Sequence, residues 1–241
     1  MTDYNINGSL LIMSVVKSPL RYPGGKSRAI KLITSLIPQG VTELVSPFFG
    51  GGSIELNCAS QGIQVYGYDS FKPLVAFWNF LLTDCERLVA EVQKHYPLSR
   101  EQFYALQKLH LDEETEEQGI LFFVLNRASF SGTTLSGGCS EESVRLRFTQ
   151  SSIDRLASFQ VRNLSVKLAD FHDSLERHPK AFLYLDPPYM IKSTLYGNRG
   201  STHRGFDHMG LFEKLRHRTG WILSYNNCEQ VQDLYKDFKI I

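Results

Sequence analysis

An apolar run, Ala181 to Leu185, stops abruptly at Asp186-Pro187-Pro188-Tyr189. Such a run, bounded by proline, reads as a buried strand, and strands of this kind belong to parallel sheets covered by helices. Neither proline has an N–H to donate, and their fixed φ holds the turn stiff. The corner therefore offers a carboxylate, free backbone carbonyls and an aromatic ring at the strand's carboxyl end. In open α/β sheets that end is where ligands bind. An acid, an adjacent carbonyl acceptor and a stacking ring suit a planar base that carries an exocyclic amino group.

The rest of the chain supplies the sheet. Val41 to Ser46, Gln64 to Tyr68, Leu164 to Leu168, Phe182 to Leu185 and Trp221 to Tyr225 read as strands, with helices over Ile54 to Ser60 and Leu74 to Leu82. Strands alternating with helices predict an α/β fold built on a mostly parallel sheet with helices on both faces. The span from His95 to Asn163 breaks this rhythm. It carries the acidic run Asp112 to Glu117, a solvated face or loop, and then Asn126 to Gly138, rich in Ser, Gly and Thr. The expected organisation is a catalytic domain in two pieces, 14–94 and 164–241, with an inserted helical subdomain over 95–163. Met13 reads as a natural start, with residues 1–12 as a disordered extension.

Phe48-Phe49-Gly50-Gly51-Gly52-Ser53 lies between a predicted strand and a predicted helix. Its glycines allow positive φ and close approach of a ligand to the backbone. The helix start beyond it offers free N–H groups and the positive end of a dipole. The pattern is not the dinucleotide fingerprint, because Glu55 stands where the third glycine belongs. Asp69 closes the next strand, where an acid typically grips ribose hydroxyls, so loop and acid together point to a nucleoside cofactor. Gly25-Lys26-Ser27 mimics the end of a phosphate-binding P-loop, but Leu20 occupies the position of its first glycine, which disfavours triphosphate hydrolysis. Tyr22 supplies a ring and Lys26 a cation beside the site.

Two segments suit a polyanion. Asn126 to Gly132 follows an apolar run and offers Arg127 for a phosphate, Phe130 to wedge or stack, and Ser131 as a further DNA contact. Met190 to Phe206 carries Lys192, Arg199 and Arg204 with no acid among them, and its glycines make it pliable. The net charge of only +1 excludes a chain coated in positive potential, so nucleic-acid contacts must come from such local patches. Cys58, Cys85, Cys139 and Cys228 form no C-x-x-C pair, which predicts reduced thiols, no zinc site and a cytoplasmic setting. The apolar stretch Leu10 to Val16 is too short to span a bilayer.

Four segments in this order, Arg21 to Lys26, Pro47 to Ser53 with Asp69, Asn126 to Gly132, and Asp186 to Tyr189, resemble the Dam-like N6-adenine DNA methyltransferases. Phe206-Asp207-His208 and Ser224-Tyr225-Asn226 are similar to that family's later, weaker motifs. The resemblance implies a class I, Rossmann-like methyltransferase domain that uses S-adenosylmethionine on double-stranded DNA as a monomer, with no metal and no membrane attachment. It implies that Tyr22 and Lys26 line the cofactor pocket, that Phe48 to Gly52 lie under the methionine part, and that Asp69 holds the ribose. Asp170 and Phe171 would hold the cofactor's adenine, and Asp186, the Pro187 carbonyl and Tyr189 the target base. The inserted segment would serve target recognition.

Two departures set further expectations. Ser46 stands where many relatives carry an acid before Pro-Phe, so a contact to the cofactor's amino group is expected to be absent or water-mediated. Relatives usually continue through an antiparallel hairpin, whereas Phe238 to Ile241 reads as the start of a sixth strand in a truncated C-terminus. The alternatives are N4-cytosine methylation, which presents a similar amine, a catalytically inactive DNA-binding protein, and methylation of RNA or a protein amide.

Overall fold

The computed structural model describes residues 15–109, 114–190 and 205–241. Five strands, β1 (Glu43–Ser46), β2 (Gln64–Asp69), β3 (Leu164–Leu168), β4 (Phe182–Leu185) and β5 (Trp221–Leu223), form one sheet in the order β3-β2-β1-β4-β5. Every pairing is parallel, with Leu44 opposite both Val65 and Phe182. The five strands fall where the sequence places them. At Phe238–Ile241 there is no strand: the Phe238 ring packs 5.0 Å from Trp221 and 6.1 Å from Tyr235 instead.

Alternation along the strands sends side chains to two cores. Leu44, Val65 and Tyr184 face one cluster, and Val45, Tyr68, Leu183 and Leu185 the other. The first face carries α1 (Ile30–Ser35), α2 (Ser53–Ser60) and α3 (Lys72–Thr83). Five more helices follow α3: α4 (Cys85–Gln93), α5 (Arg100–Gln107), α6 (Glu116–Ala128), α7 (Glu141–Arg147) and α8 (Gln150–Ala157). The second face carries α9 (Phe171–Arg177) and α10 (His208–Leu215), and α11 (Glu229–Leu234) follows β5.

The helical segment after α3 shares the core of the first face. Phe103, Phe122, Phe123, Phe148 and Leu156 are buried in the same cluster as Leu44 and Ile54. α6 lies directly on α3, with Phe123 stacked on Phe77 at 5.4 Å. The close approach depends on Gly119, where a Cβ would meet the Phe77 backbone nitrogen at 2.7 Å. No helix among the described residues is long and apolar enough to cross a membrane.

Between β1 and β4 the strand order reverses direction. The chain leaves β1 toward α2 and one side, and leaves β4 toward α10 and the other. A crevice must open between the two exits, at their carboxyl ends, and such a switch point is the ligand site of open α/β sheets.

Candidate active site

Tyr22, Lys26, the loop 47–53, Asp69, Asp170, Phe171 and the corner 186–189, all singled out by the sequence, line one cavity of about 360 Å³ at this switch point. β1 delivers the glycine loop. Gly50 and Gly52 take positive φ, 49° and 67°, which other residues adopt only with strain. The Phe49 ring turns into the core edge-on to Trp78 at 5.2 Å, and Trp78 Nε1 donates to the Gly50 carbonyl at 3.0 Å. Gly67 on β2 makes room for that ring, since a Cβ there would lie 2.3 Å from it. Tyr22 covers the loop so closely that a Cβ on Gly50 or Gly51 would meet its side chain at 2.8 or 2.6 Å.

β2 delivers Asp69. Its Oδ2 accepts from the Gly50 amide at 3.0 Å and its Oδ1 from the Phe71 amide at 2.9 Å, so the acid also ties the loop to the strand end. Burial pushes the Asp69 carboxyl up, and the amides of Phe71, Gly50 and Ser70 push back. Beyond β3, Asp170 caps α9 by accepting from the Asp173 amide at 2.9 Å. Phe171, Phe48 and Phe206 form a three-sided aromatic cluster with centroids 5.4–5.9 Å apart along one wall of the cavity.

β4 delivers the carboxylate corner. Lys26 Nζ donates to both Asp186 oxygens, at 2.7 and 2.6 Å, and lies 5.0 Å from the centre of the Tyr189 ring. The other neighbour of that ring is Tyr225, stacked at 6.0 Å. Burial raises the Asp186 carboxyl, while Lys26 draws it back. Burial works against the Lys26 ammonium, but Asp186 outweighs it and holds the lysine charged. Asn226 Oδ1 accepts from the Met190 amide at 3.1 Å, anchoring the chain just past Tyr189.

The segment Asn126 to Gly132 joins the site from behind. Asn126 is fully buried, accepts from the Arg21 amide at 2.9 Å and donates to the Arg21 and Gly132 carbonyls. It thus stitches the stretch before Tyr22 to this turn. Arg127 does not face outward as the sequence suggested. Its guanidinium donates inward, to the Pro19 and Arg147 carbonyls. Burial, with Arg21 and Arg155 nearby, lowers its pKa to about 10. Phe130 is 43% exposed, and Ser131 beside it is exposed with φ of 54°. The cation over the Phe130 ring is Arg147, at 5.1 Å, which the sequence reading passed over. Lys192, Arg199 and Arg204 lie outside the described residues.

Residues 22–241 match the family described as D12 class N6 adenine-specific DNA methyltransferase. The chain belongs to this family. Type II methyltransferase M1.LlaDCHI of Lactococcus lactis subsp. cremoris is 23% identical over 243 aligned positions, covering 91% of this chain and 84% of that protein. Modification methylase StsI of Streptococcus sanguinis is 24% identical over 204 positions, covering 77% of this chain but only 31% of that longer protein. The protein is thus an adenine-specific DNA methyltransferase, and the cytosine, RNA and protein-amide alternatives give way. A methyltransferase of this family uses a methyl donor.

One residue in this site went unrecognised. Glu55 on α2 is 2% exposed and lines the cavity, with Oε1 accepting from Ser46 Oγ at 2.6 Å. In the sequence it registered only as the residue that spoils a dinucleotide fingerprint.

Proposed function

We propose that the protein binds S-adenosylmethionine in the switch-point cavity and methylates N6 of an adenine turned out of double-stranded DNA. One observation carries this reading. The Asp186 carboxylate, fixed between the end of β4 and two prolines, opens onto the same cavity as the glycine loop and Asp69. The residues present fit such a cofactor: an acid at the end of β2 for vicinal hydroxyls, an aromatic wall for a purine, and a loop whose backbone a ligand can approach. When bound, the cofactor supplies a methyl group on a sulfonium, activated for direct displacement.

The chain's own work is orientation. In this reading Asp69 accepts from the ribose hydroxyls, Asp170 and Phe171, with Phe48 and Phe206, hold the purine, and Tyr22 closes over the loop. A stacked adenine keeps its amino group out of in-line reach, and extruding it costs a few kcal/mol. The Tyr189 ring offsets part of that cost by stacking. Asp186 and the Pro187 carbonyl accept from the amino group and direct its lone pair toward the methyl. Preorganised acceptors of this kind in a desolvated site are worth several powers of ten in rate. For DNA, the exposed Phe130 with Arg147 above it and Arg21 nearby form a candidate contact face. No ion pair among the described residues neutralises either arginine.

The test is transfer of labelled methyl from S-adenosylmethionine to duplex DNA, followed by nucleoside analysis. The expected product is N6-methyladenine, lost at least ~100-fold in Asp186→Ala with cofactor binding retained. An Asp186→Ala protein that methylates within a few-fold of wild type refutes the role of Asp186.

A further inference from the structure

The cavity holds a buried charge that the mechanism above leaves unused. Glu55 is the third residue of α2, and its side chain turns away from solvent into the wall shared with Lys26, Ser53, Tyr184 and Asp186. Its partners are the Ser46 hydroxyl and the amides at the start of α2, those of Ile54 and Glu55 itself. No ion pair among the described residues involves Glu55. Lys26, the cation on the same wall, is claimed by both oxygens of Asp186.

A carboxylate in this position is expensive. Buried charges are normally paired, because taking one out of water without a counter-charge costs several kcal/mol. A glutamine would satisfy the Ser46 hydroxyl equally well without that cost. The carboxylate is therefore explained by something that arrives carrying a positive charge. Its location limits what arrives. The group must be small enough to pass into the cavity beside the glycine loop, and it must donate hydrogen bonds as well as charge. A primary ammonium fits both conditions.

We infer that Glu55 recognises the ammonium group at the amino-acid end of the cofactor, held for that task by the Ser46 hydroxyl. This rests on the proposal that the cavity takes S-adenosylmethionine. It assigns to α2 a contact that the chain lacks at position 46, where a hydroxyl supports the acid in place of being one. The Glu55 carboxyl is raised to about 7 in the ligand-free protein, so a cation beside it would favour its charged form. Burial is the main cause of the rise, and Asp186 nearby adds to it.

Calorimetric titration of the full chain with three thioethers tests the assignment. S-adenosylhomocysteine carries the ammonium and the carboxylate. Its decarboxylated analogue keeps only the ammonium, and 5′-methylthioadenosine has neither. Glu55→Gln should weaken the first two by roughly 10- to 100-fold, the loss of a charge-assisted contact, and leave methylthioadenosine within about twofold. Methylthioadenosine binding also reports that the pocket of the variant is intact. Ser46→Ala, which keeps the acid but frees it, should show the same selectivity at a smaller, several-fold loss. If the variants bind all three ligands as wild type does, or lose all three equally, Glu55 shapes the pocket and recognises nothing. If the wild-type protein binds none of the three, the cofactor reading itself falls and this inference falls with it.

Discussion

Glu55→Gln should make the ligand-free protein more stable, and increasingly so as the pH rises. Burial lifts the Glu55 carboxyl from 4.5 to about 7, so the folded state binds its proton more tightly than the unfolded state does. Stability from this group is fully present below the unfolded value. It is lost as pH climbs through the interval between the two, and is gone above the folded value. At roughly 1.4 kcal/mol per pKa unit the whole interval corresponds to about 3 kcal/mol, a large part of an ordinary domain's stability. Glutamine keeps an oxygen for the Ser46 hydroxyl and carries no proton to lose. Charged or titratable neighbours, Asp186 at the end of β4, Tyr184 on β4 and Cys58 one turn along α2, are present in both proteins. Their titration therefore largely cancels in the difference. The assay is urea unfolding of both proteins, without ligand, at intervals from pH 5 to pH 8. The gap between them should widen by about 2–3 kcal/mol in favour of the variant across that range. A gap that stays constant with pH means that Glu55 is not titrating in the folded protein, and the charge argument for its function fails.

Other expectations follow from single contacts. Lys26→Met removes the cation that draws the Asp186 carboxyl down against burial, so the acid limb of the methylation pH profile should move to higher pH; an unmoved limb would separate Asp186 from the rate. Gly119→Ala would gain about 1 kcal/mol of helix propensity in an open helix, but here its Cβ meets the α3 backbone at 2.7 Å, and a loss of about 1–3 kcal/mol in urea unfolding is expected. Arg147→Ala should leave cofactor affinity alone and make the salt dependence of DNA binding shallower by about one unit of slope, whereas an unchanged slope would move the DNA to another face.

The sheet was legible because its signals are local. The strands are short apolar or alternating runs, β1, β2 and β4 are closed by a proline or an acid, and the acid or loop that follows a strand necessarily sits at its carboxyl end. That is enough to place Pro47 to Gly52, Asp69 and Asp186 on one edge of the sheet. Side-chain direction within helices is a different matter. Arg127, at the end of α6, reads as an outward cation, yet its guanidinium donates inward to the carbonyls of Pro19 and Arg147. Nothing in the sequence reports those carbonyls, because they belong to segments about 110 and 20 residues away in the chain. Phe238 reads as a strand residue with Ile240 and Ile241 beyond it, but its ring packs against Trp221 and Tyr235 instead.

Glu55 shows why the most informative residue of the site was the least legible. An acid in the first turn of a helix is ordinary, because it complements the positive end of the dipole and normally does so in water. What makes this one different is the rotation of α2, and the sequence does not state that rotation. It is set by the glycine loop. Phe49 is pinned beneath Trp78 and against Gly67, Gly52 turns the chain through positive φ, and Ile54, the second residue of α2, is buried at 1% exposure. Once Ile54 points into the core, Glu55, one position on, is carried round to the cavity and Ser46 meets it from β1. The hydroxyl at position 46 and the acid at position 55 are thus one unit, assembled by the loop between them. Scanned separately, the first reads as a missing acid and the second as a failed glycine. Only the loop geometry joins them, and it brings the pair to the wall of the switch-point cavity.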